Sequence, residues 1–84
     1  MAYYSVVMLQ SWKNKLQTFV SSISENYYGD ISPTEVNMIF KTKIKNKNEL
    51  ETIMRDTFEF SGWISIETLT KQEFETLEEK WFEI

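Results

Sequence analysis

Apolar positions recur along this 84-residue chain with two different periods. Trp12, Leu16, Phe19, Val20, Ile23 and Tyr27 keep helical spacing within one arc about 100° wide, which predicts an amphipathic helix with a single buried face. Asn26, Tyr28, Gly29 and Asp30 supply the turn chemistry that ends it. From Val36 the period changes to two. Val36, Met38, Phe40, Thr42 and Ile44 alternate with Asn37, Ile39, Lys41, Lys43 and Lys45, which predicts a strand over 36–45 with one apolar face. Just before it, Ser32-Pro33-Thr34-Glu35 has the letters of a capping box with proline at the first helical position, so a short helical turn is expected there.

The helical period returns after Asn48, read as an N-cap. Leu50, Ile53, Met54, Thr57, Phe58 and Phe60 share one face of a helix over 48–60, and Gly62 suits the position after its last turn. Trp63 to Thr68 alternates as a strand. Thr70-Lys71-Gln72-Glu73 is a second capping box, followed by Phe74, Leu77 and Trp81 at helical spacing. Residues 2–10 admit either strand or helix; the β-branched Val6 and Val7 favour strand.

The expected order is β-α-β-α-β-α in a single domain, residues 1–84. This is an α+β fold, a small two-layer sandwich whose short sheet is covered by two or three helices. If the strands at 36–45 and 63–68 are parallel neighbours, their crossover is right-handed. A hairpin within 27–35 would convert the order to the ferredoxin-like one, but no second strand is visible in that stretch.

Composition narrows the chemistry. Cysteine and histidine are absent, which excludes disulfide scaffolds, thiol nucleophiles, Ser-His-Asp triads and histidine-ligated metals. Gly29 and Gly62 are the only glycines, too few for a phosphate-cradling loop. No cofactor and no enzymatic activity are expected. With 42% hydrophobic and 26% charged residues the chain has a globular composition. Lys, Ile, Asn, Phe and Tyr are abundant and Ala, Gly, Pro and Arg are scarce, a codon bias expected of a low-GC bacterium, its phages or mobile elements. The longest early apolar run is Val6-Val7-Met8-Leu9, too short for a signal or membrane span, so a cytoplasmic location is expected (the host cytoplasm if phage-encoded), with no membrane association.

Charge is divided along the chain. Residues 1–48 hold six lysines against three acids, and residues 49–84 hold three basic residues against ten acids. The acidic faces of the second helix (Glu49, Glu51, Asp56 and Glu59) and of the third (Glu73, Glu75, Glu78, Glu79 and Glu83), with Phe82 as an aromatic anchor, are the leading candidate protein-binding surface. Rigid carboxylates can complement a cationic groove built for nucleic acid. The function expected from this is a stoichiometric inhibitor or adaptor, a nucleic-acid mimic that evades host defence by binding a nuclease or another nucleic-acid-handling host protein. A second reading is a nucleic-acid binder in which Lys41, Lys43, Lys45 and Lys47 project from one strand face towards phosphates. That reading lacks a stacking platform, because Ile39 stands on the lysine face and the aromatic Phe40 on the other. A third is self-assembly, as a homodimer or an antitoxin-like protein.

Overall fold

A computed structural model describes residues 1–59 and 63–81, with only the backbone of Trp63 and Ile64. The elements run β1 (Ala2–Leu9), a 3-10 turn (Gln10–Trp12), α1 (Lys13–Ile23), β2 (Ser24–Ile31), β3 (Glu35–Thr42), α2 (Lys47–Phe58), β4 (Trp63–Leu69) and α3 (Lys71–Glu78). The sheet order is β2-β3-β1-β4, and every neighbouring pair is antiparallel. The fold is α+β, as its periodicities require. The alternation gains one strand, β2, and the body β1 to β4 thereby takes the ferredoxin-like order. Because β1 runs antiparallel to both β3 and β4, these two strands are parallel but not adjacent.

β2 replaces what the spacing predicts as the last turn of the first helix. That helix ends at Ile23, and Ser24 is already extended. Serine hydroxyls close it. Ser21, Ser22 and Ser24 donate to the carbonyls of Thr18, Phe19 and Val20, and the Thr42 hydroxyl of β3 donates to Ile23 at 2.6 Å. Orphan carbonyls at the helix end are thus satisfied without a glycine cap. Tyr27 still reaches the core, from a strand instead of a helix: it pairs with Phe40 and packs against the core from β2. The expected helical turn at Ser32-Pro33-Thr34-Glu35 is instead the β2–β3 hairpin turn. The Ser32 hydroxyl accepts from the Glu35 N–H at 3.0 Å, and the two residues also share a backbone bond of 2.9 Å.

The strand over 36–45 is shorter than its alternation suggests and stops at Thr42. The cap of α2 is Asn46 rather than Asn48: its side chain accepts from the Asn48 N–H at 2.7 Å. The helix ends on Glu59 in the left-handed region, φ 52°, a role the spacing gave to Gly62, which lies outside the described residues together with Phe60.

One face of the sheet carries the core. Tyr4, Val6 and Met8 of β1, Val36, Met38 and Phe40 of β3 and Ile66 of β4 meet Leu16, Phe19 and Val20 of α1 and Leu50, Met54 and Phe58 of α2. Phe58 takes the Trp12 and Phe19 rings edge-on at 5.9 and 5.5 Å, and Lys15 caps this cluster with its ammonium 5.3 Å from the Trp12 centroid. The period of two then dictates the other face: Tyr3, Ser5 and Val7, Asn37, Ile39 and Lys41, with Tyr28 opposite Ile39 and Leu69 opposite Tyr3. Against that face lies α3. Among the described residues no helix is long and apolar enough to cross a membrane.

Candidate functional site

The α3 helix is the element on which the acidic candidate residues stand, and the chain fixes it in two ways. Thr70 and Glu73 form the predicted capping box. The Thr70 hydroxyl accepts from the Glu73 N–H at 3.1 Å, and the Glu73 carboxylate accepts from the Thr70 N–H at 2.9 Å. Those bonds, the Thr70 backbone N–H first and its hydroxyl second, hold the Glu73 carboxyl below the usual carboxylate range. Phe74 is the second fixing point. It is the one buried side chain of the helix, with its ring 4.9 Å from Tyr3 and 6.1 Å from Tyr28, on the sheet face where Ile39, opposite Tyr28, is fully buried. Burying a phenylalanine contributes about 1.5–3 kcal/mol. By comparison α1 and α2 each bury three side chains.

With Phe74 turned to the sheet, Glu73, Glu75 and Glu79 are exposed and Glu78 is half-buried. Phe82 and Glu83 lie outside the described residues. The uncovered remainder of this sheet face also carries acids: Glu67 opposite Ser5 and Asp30 opposite Asn37, both exposed. Ser5 donates to the Asn37 side chain at 3.0 Å between them. The acids of α2 do not join this surface. Glu49, Asp56 and Glu59 are exposed on a helix that packs against the opposite side of the sheet. The two acidic helix faces are therefore separate.

The lysine row is corrected in geometry. Only Lys41 stands on β3. Lys43 and Lys45 lie in the connection to α2, and Lys47 opens that helix, 3.9 Å from Glu51. Lys43, Lys45 and Lys47 are exposed at one pole of the molecule, whereas Lys41 is half-buried. It lines a cavity of about 150 Å³ with Tyr3, Asn26, Lys71, Phe74, Glu75 and Glu78. One basic candidate, Lys41, and two acidic ones, Glu75 and Glu78, thus meet beneath α3 although distant in sequence. The signal that could have brought them together is the register Tyr3↔Lys41, which needs β1 to be placed beside β3.

Elsewhere, Tyr4 is buried and donates to the Ile44 carbonyl at 2.8 Å; burial, and then the charge of Glu49, push its phenol above its ordinary pKa. Among the described residues no three acids converge as a cation site. No family model, no curated protein and no solved structure matches the chain.

Proposed function

We propose that this chain is a non-catalytic binding module that engages a basic protein surface, one built to handle nucleic acid, through the carboxylates of α3. The observation that carries this reading is the way α3 is fixed. A capping box and a buried phenylalanine leave Glu79 exposed and Glu75 exposed at the rim of the cavity it shares with Lys41, with Glu67 and Asp30 continuing the same sign on the sheet face below. Several exposed carboxylates along one helix suit several separated cations, as on a nucleic-acid groove.

The test is capture of partners from a bacterial lysate on immobilised protein, followed by elution with DNA. A specific partner is expected to be displaced by DNA and lost with Glu75→Lys and Glu79→Lys, while Glu49→Lys with Asp56→Lys on the opposite side retains it. Unchanged capture by the α3 double variant overturns the reading.

A further inference from the structure

The lysine run finds no role in that proposal, and on its own strand it lacks aromatic partners. The sheet register supplies them from neighbouring strands. Tyr3 of β1 pairs directly with Lys41, Asn26 of β2 pairs with Lys41 from the other side, and Tyr28 pairs with Ile39. Two tyrosines, an asparagine amide and an ammonium therefore share one end of one sheet face. Beyond that end the chain leads into Lys43, Lys45 and Lys47, all exposed. Aromatic faces beside a basic track are the elements of a single-strand binding platform: bases stack on rings and phosphates meet cations.

In this structure the platform is occupied. The Phe74 ring lies against Tyr3 and Tyr28, and Glu75 and Glu78 line the same cavity as Lys41 and Lys71. A ring flanked by anions is the chemistry of a nucleotide in a strand. The helix that provides it is the shortest of the three. It has eight residues and one buried side chain, and a cavity of about 390 Å³ lies along its other flank, between Leu69 and Leu77. Elements with so few buried contacts open at lower free energy than the body they rest on. The described part of the segment it would carry away, residues 71–81, holds four acids and two lysines, so lifting it also removes repulsion of a polyanion.

We propose that α3 is an internal mimic of single-stranded nucleic acid, and that lifting it exposes a single-strand binding face formed by Tyr3, Tyr28, Asn26 and Lys41 and extended by Lys43, Lys45 and Lys47. In the closed form affinity is reduced by the fraction of molecules that are open.

The experiment is fluorescence anisotropy with labelled single-stranded RNA, single-stranded DNA and duplex DNA, at low and physiological salt. It compares the full chain, Phe74→Ala, and Thr70→Ala with Glu73→Ala, which loosens α3 without touching the sheet. Circular dichroism and a cooperative melt establish that each variant keeps its body. Both variants are expected to bind single strands about tenfold or more tighter than the parent, with a steep salt dependence. RNA and DNA arms identify which strand is preferred. Adding Lys41→Ala or Tyr3→Ala to a loosened variant is expected to abolish the gain. The proposal is overturned if folded, loosened variants bind no tighter than the parent. It is equally overturned if the gain persists without Tyr3 and Lys41, or if those variants bind a peptide copy of residues 70–81 and not the oligonucleotides.

Discussion

Tyr4 shows how a single side chain ties several parts of the fold together. Its ring lies in the core, 6.0 Å from Phe40, and its hydroxyl closes the connection after β3 by donating to Ile44. Tyr4→Phe leaves that carbonyl without its donor and is expected to cost about 1–3 kcal/mol, read as a lower urea midpoint. The phenol pKa is raised in the fold, so its contribution is complete below the ordinary value near 10 and disappears as pH rises through the higher folded value. The parent is therefore expected to lose stability on the alkaline side of about pH 10, and Tyr4→Phe to lose less there. Glu59 is the converse case, a non-glycine residue held at φ 52°. A side chain in the left-handed region costs roughly 1–2 kcal/mol, and glycine recovers part of that against its larger unfolded entropy. Glu59→Gly is expected to raise the urea midpoint; an unchanged or lower midpoint contradicts the strain.

At the level of elements, the strongly periodic segments were legible and the weakly periodic one was not. β3, α2, β4 and α3 appear where the apolar spacing puts them, to within a few residues, and β1 is the strand that the β-branched Val6 and Val7 favour over a helix. β2 does not, because Ser24-Glu25-Asn26-Tyr27-Tyr28-Gly29-Asp30 contains residues disfavoured in strands and lies at an edge, where pairing with β3 alone holds it. Tyr27 also fell on the helical stripe, so local spacing favoured the wrong element. The capping box of α3 was readable as letters, while its consequence for Glu73 required the bonds themselves. Because the Glu73 pKa is lowered in the fold, its contribution is complete above the ordinary carboxylate value near 4.3 and is lost as pH falls through the lower folded value. NMR titration is expected to show the Thr70 and Glu73 amide shifts moving together in acid, below that ordinary value. The same movement in Glu73→Gln would show that the box is not its cause.

For the whole molecule, charge and topology decide together. Reversing Glu75 and Glu79 touches exposed positions only, and thermal stability is expected to stay within about 0.5 kcal/mol while partner capture is lost. A large fall in stability would instead mark these carboxylates as part of the fold. The division of charge along the chain was plain from the residues, but not its arrangement in space. The acids of α2 and α3 fall on opposite sides of the sheet, and Lys41 falls beside Glu75 and Glu78. By themselves the residues determined the class of fold, the apolar face of each long element, the α3 cap and the absence of thiol and imidazole chemistry, because each depends on spacing within one segment or on composition. Only the tertiary structure decided that 24–31 is a strand, that Tyr3 and Asn26 flank Lys41, and that Phe74 lies against Tyr3 and Tyr28. Those relations come from strand register and from which face a helix crosses. Both are set by contacts between residues far apart in the chain.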